Sequence, residues 1–195
     1  VSNGGTAFSE NATNMRADPN TVDFYVDFET TAGWRREDWT DIRNIQNPGD
    51  IIYMIGCGYY DATSGWTDRV FTTNTLEPNE ERRIIQSWLD WMDSVKETKN
   101  ARVYHWSHAE KTAFNISNAR HGGIWTPPNW IDLKTKGYLA PGSSPTNGGL
   151  WVRDNVSGLY DFSIKTVVKA LNSVSLISLS WSDPLDGLAA DVGAL

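Results

Sequence analysis

The chain has 195 residues, enough for one domain with a substantial core, and a single cysteine, Cys57, which excludes an internal disulfide framework. Apolar residues at 39% and charged residues at 21% exclude wholesale disorder, and no apolar run is long enough to span a membrane. A net charge of -7 argues against a protein that grips nucleic acid by bulk positive field, while ten tryptophans stand well above ordinary usage.

Residues 1–20 are polar and lack apolar periodicity, which predicts a loose arm or linker. They carry neither a basic n-region nor an apolar h-region, so they do not read as a signal peptide, and an intracellular location is expected. A first residue of Val1 rather than Met predicts a fragment or an excised domain.

VDFYVDF (22–28) is short, β-branched and aromatic and predicts a strand. A charged loop is expected over 30–50. IIYMIGCGYY (51–60) is nearly continuous in apolar character, as for a strand buried on both faces, and Cys57 inside it reads as a core thiol. DATSG (61–65) supplies turn chemistry, and WTDRVF (66–71) pairs back as a hairpin strand.

A helix comes next, with Pro78 in its first turn, Glu80 and Glu81 near its positive end, and Ile84, Ile85, Trp88, Leu89 and Met92 at helical spacing. ARVYHW (101–106) predicts a buried strand, and HAEKTAFNISNAR predicts a helix stopped by Gly122 and Gly123. WIDL (130–133) is a short apolar piece in which Asp132 either orients a ligand or caps the following helix. A Gly/Ser/Pro/Asn-rich loop spans 140–160. SIKTVVKAL (163–171) and PLDGLAADVGAL (184–195) are helical in spacing. The order β-β-β-α-β-α, then more helix, predicts an α/β domain: a three-strand antiparallel meander followed by βα units, with helices covering a mixed sheet.

Asp27 and Glu29 close the first strand, and side chains at i and i+2 share a face. Two carboxylates aimed together repel and lose hydration unless a cation lies between them, and oxygen-only donors suit Mg²⁺ or Mn²⁺. A bare D-x-E also occurs where a strand end simply exposes acids. Glu110 falls early on the helix after the buried 101–106 strand. Parallel neighbours deliver such residues to one end of a sheet, although Glu in a first helical turn is also favoured by the dipole. His105 at the strand end reads either as a half-buried packing histidine or as a substrate contact. His108, Lys111 and Lys165 are candidate phosphate contacts that also read as ordinary solvated side chains, as do Lys134 and Lys136. Trp34, Trp39, Trp125 and Trp151 fall in loops, where an indole either stacks an unpaired base or closes a loop over the core.

The segments V-D-F-E-T (26–30), I-I-Y-M-I-G-C-G-Y-Y, V-Y-H-W-S-H-A-E-K-T-A-F, W-I-D-L and S-I-K-T-V-V-K-A-L occur in this order. Together they resemble the DEDD (DnaQ-like) 3′–5′ exonuclease superfamily on the ribonuclease-H-like fold, over residues 22–195. In look they are nearest to predicted exonucleases related to RecB-family nucleases and to phage and large-virus polymerase exonuclease domains. In that resemblance Asp27 and Glu29 are the first-motif acids, and His105 aligns with the histidine of the second motif. Glu110 stands where the family has Asp, and Trp106 where it has Asn. D-G-L-A-A-D puts Asp191 at the final-motif acid, with Asp186 in the place of its histidine. The resemblance otherwise implies a fourth acid, with its His or Tyr, beyond Leu195.

The resemblance implies two-metal hydrolysis of phosphodiesters at nucleic-acid 3′ ends, single-stranded DNA above all, with two Mg²⁺ or Mn²⁺ ions. Asp27 would bridge the ions, Glu29 would hold the nucleophile side, and Glu110 would bind directly or through water. It also implies a replication or repair module attached to a polymerase or helicase, virus- or phage-encoded among the options. Two other readings remain open from the residues: a degenerate domain that binds nucleic acid without cutting, and a Trp-rich carbohydrate-active protein using its carboxylates on sugars.

Overall fold

In the computed structural model, residues 18–31, 50–134, 163–173, 175 and 178 are described. Most of the expected arm over 1–20, most of the 30–50 loop, the 140–160 loop and the expected 184–195 helix with Asp191 lie outside these residues. The chain divides into two compact units, residues 17–131 and residues 1–16 with 132–195.

The first unit is built on a mixed sheet. β1 (Thr21–Thr30), β2 (Ile52–Asp61) and β3 (Gly65–Thr72) form the antiparallel meander; α1 (Pro78–Lys96), β4 (Asn100–His105), α2 (Ala109–Arg120) and the short β5 (Trp130–Asp132) come after it. The strand order is β3-β2-β1-β4-β5. β1 is central, antiparallel to β2 and parallel to β4. This is the expected α/β class, and it is compatible with a ribonuclease-H-like arrangement. Strand boundaries shift by one or two residues from those read in the sequence.

Alternation decides which side of β1 is core. Phe24, Val26 and Phe28 are buried and join Ile55, Cys57, Phe71, Ile84, Ile85, Trp88, Val103 and Phe114 in one cluster under the helices. The odd-numbered residues Tyr25, Asp27 and Glu29 therefore project from the other face. The register carries that face across the sheet, pairing Tyr25 with Gly58 and Tyr104, and Asp27 with Gly56. The tryptophan surplus is partly spent in the core: Trp88 meets Phe28, Phe114 and Trp130 edge-on or tilted, and Trp91 packs on Phe24, Tyr59 and Phe71. Trp125 is a packing residue, buried with its Nε1 donating to Gln86 Oε1 at 2.9 Å.

α1 starts at Pro78, where a missing N–H costs nothing, and its buried face carries Ile84, Ile85, Trp88 and Met92. α2 stops as its sequence predicts. Gly123 N donates to Asn118 O at 2.7 Å and Gly122 N to Ala119 O at 3.1 Å, with both glycines at positive φ. That is the paired hydrogen bonding of a Schellman motif, whose left-handed position favours glycine.

In the second unit, α3 (Ile164–Ser173) occupies the SIKTVVKAL segment. Ser163 Oγ accepts from Thr166 N at 3.2 Å and caps the helix, and Val167 is buried. Lys165 is exposed on this helix. Asp132 Oδ1 accepts from Lys134 N at 2.9 Å, a local turn cap.

Candidate active site at the carboxyl end of the central strands

The parallel pairing of β1 with β4 runs from Thr21–Asn100 to Tyr25–Tyr104. β1 continues to Thr30, whereas β4 ends at His105. Asp27 and Glu29 thus lie on the part of β1 that outruns its partner, at the end of the sheet where β4 turns into α2. Asp27 is exposed and Glu29 half-buried. Their shared face follows from strand periodicity, as the sequence predicted.

The turn from β4 to α2 is tight. Ser107 takes a left-handed backbone at φ 79, uncommon for a residue with a side chain, and it delivers His108 and Glu110 directly after the strand. Glu110 is buried, and its Oε2 lies 3.3 Å from Nδ1 of the equally buried His105. Trp130 meets the His105 ring edge-on at 5.3 Å. His105 is therefore a packed partner of Glu110. His108 is exposed at the N-cap of α2, with its Nδ1 3.2 Å from Ser107 Oγ, and Lys111 is exposed one position past Glu110.

Asp27, Glu29 and Glu110 all stand at the end of the sheet where β4 turns into α2. Glu110 is buried at the start of α2 against His105, whereas Asp27 and Glu29 alternate with the buried Phe28 along β1. Among the described residues, no group of three or more His, Cys, Asp or Glu stands together as a metal site. The donor chemistry of Asp27 and Glu29, paired hard oxygens with one carboxylate exposed, fits an edge of a Mg²⁺ or Mn²⁺ site.

Two features escaped the sequence reading. Glu81, expected to serve the helix dipole, is fully buried. It accepts from Ile52 N at 2.8 Å through Oε1, and its Oε2 meets Arg120 Nη1 at 2.5 Å and His121 Nε2 at 3.0 Å. Arg120 also donates to Asp50 O at 3.2 Å. This network ties α1, the end of α2 and the start of β2, and so fixes the helical layer beneath the candidate site. The second feature is the sheet face beside Asp27, where Gly56 and Gly58 carry no side chains and Tyr25 and Trp66 are exposed. The G-x-G at i and i+2 within a strand was its readable signal. On the same face, Asp23 receives a two-pronged bond from Arg102 at 2.6 and 2.8 Å.

No protein-family model matches the chain, and no curated protein does. Among solved structures it is similar to "Exonuclease I (apo)", at 11% identity and a TM-score of 0.41, over 77% of this chain and 37% of that one. The chain thus spans little more than a third of that protein's length. Among the described residues, no helix is long and apolar enough to cross a membrane.

Proposed function

We propose that this chain is a metal-dependent nuclease domain that hydrolyses phosphodiester bonds at 3′ ends, single-stranded DNA being its substrate. The observation that carries the reading is the placement of Asp27 and Glu29. Both stand on one face of the central strand of a mixed α/β sheet, at the end where the parallel neighbour delivers the His105–Glu110 pair. Asp27 and Glu29 would hold the Mg²⁺ or Mn²⁺ ions. When bound, such ions lower the pKa of a water and stabilise a leaving oxygen.

The chain's own residues then divide the work. Asp27 and Glu29 concentrate negative charge at a strand end, which recruits cations. His105 fixes the carboxylate of Glu110 by hydrogen bond. His108 and Lys111 stand beside it as exposed groups able to meet phosphate oxygens. The test is metal-dependent release of mononucleotides from a 3′-labelled single-stranded oligonucleotide, with Asp27→Asn as control. Release by the native chain and none by the variant is expected. No release by this chain at any Mg²⁺ or Mn²⁺ level overturns the reading.

A further inference from the structure

We propose that the sheet face beside Asp27 holds an unpaired base of the substrate strand, stacked on Trp66. A groove of about 440 Å³ runs along this face, lined by Tyr25, Asp27, Gly56, Gly58, Trp66 and Val70 among others. Two glycines two apart on β2 strip the sheet of side chains at its floor. Glycine weakens a strand, and in a strand interior it marks a place that something must approach closely. At Gly58 that neighbour is Trp66: a Cβ there would collide with the indole ring. At Gly56 a Cβ would meet only Asp27 O at 3.9 Å, so the floor beside Asp27 is open.

The Trp66 indole is therefore seated close against Gly58, yet the residue remains 55% exposed. The ring is held in advance: Tyr25 lies 5.9 Å from it, and Tyr25 in turn stacks on Tyr104 at 5.2 Å and 18°. A part-exposed indole held against a sheet can bind unpaired bases by stacking, tolerant of sequence because every base has a flat face. Covering Gly58 accounts for where Trp66 sits but not for a large aromatic left in water beside an open floor. The occupant is set by continuity: Asp27 lines the same groove, and in the proposed function Asp27 stands at the phosphodiester. The inference rests on that reading for the identity of the strand. It adds that the domain selects strands with unstacked bases.

The experiment is binding of a short fluorescent oligothymidylate to the full chain in EDTA, read by anisotropy, with folding followed by circular dichroism. Trp66→Ala is expected to weaken binding about tenfold, Trp66→Phe to retain it, and Gly58→Ala to weaken it by dislodging the indole. A strand of the same length with abasic sites should bind the native chain and Trp66→Ala equally weakly. Native affinity in Trp66→Ala, tight binding of the abasic strand, or displacement of the oligonucleotide by a glycan overturns the proposal. Metal-dependent release that persists unchanged in Trp66→Ala, with unchanged affinity, removes the stacking site and leaves the nuclease reading. Binding that depends on Trp66 without any release removes the nuclease reading and leaves the stacking site.

Discussion

Glu81 and Arg120, 39 residues apart, form an ion pair with both side chains almost wholly out of water. The Ile52 amide and the His121 ring meet the same carboxylate. A buried pair of this kind adds little net stability against an apolar replacement of both partners, but removing one partner strands the other charge.

Glu81→Ala is therefore expected to destabilise the fold by about 3–5 kcal/mol. A joint replacement of Glu81 and Arg120 by apolar residues of similar volume should recover much of that loss. Urea denaturation of the two variants checks the ordering. If Glu81→Ala unfolds at the native midpoint, the network does not anchor the helical layer.

Asp27→Asn and Glu29→Gln are expected to keep the fold, because neither side chain belongs to the core cluster. Each should slow metal-dependent release by about a hundredfold or more, a loss of about 3 kcal/mol in transition-state stabilisation. Single-turnover assays on labelled oligonucleotides, alongside far-UV spectra, separate the two effects. Activity close to native in both variants would place the chemistry elsewhere.

His105→Ala is expected to act on both stability and the site. It removes the partner of Glu110 Oε2 and leaves a void under Trp130, at a cost of about 2–4 kcal/mol. His105→Asn, which can still donate to Glu110, should recover part of the activity at a lower melting temperature. Equal melting temperatures for native and Ala forms would contradict this packing.

Alkaline pH should unfold the chain through two buried neutral groups. Burial pushes the Cys57 thiol up to about 12. Burial, then the charge of Asp23, pushes the Tyr104 phenol up to about 12. Both folded values stand above the unfolded ones, about 8.5 for Cys and 10 for Tyr. The stability they hold is complete below the unfolded values and is lost as pH rises toward about 12. Urea midpoints should fall between pH 9 and 12, and Cys57→Ala should flatten the lower part of that decline. At pH 8 the native thiol should resist aromatic disulfide reagents until urea exposes it.

Much of the fold was legible because it is written in local chemistry. Alternation of Phe24, Val26 and Phe28 with Tyr25 and Asp27 reports a strand with one buried face. Gly122 and Gly123 report a helix end, and the spacing of Ile84, Trp88 and Met92 reports a helix seated on a sheet. The same-face relation of Asp27 and Glu29 needs only the two-residue period of a strand.

Other relations belong to the tertiary structure alone. The sequence shows Glu81 as one acid in a first helical turn; only packing brings Arg120 and His121 to it and withdraws all three from water. The sequence likewise presents Asp27, Glu29 and Glu110 as three acids of one motif set. Packing decides that Glu110 loses its water against His105, while Asp27 stays exposed. Chain spacing carries strand and helix periods, but which charges lose their water depends on residues distant in sequence arriving at the same place.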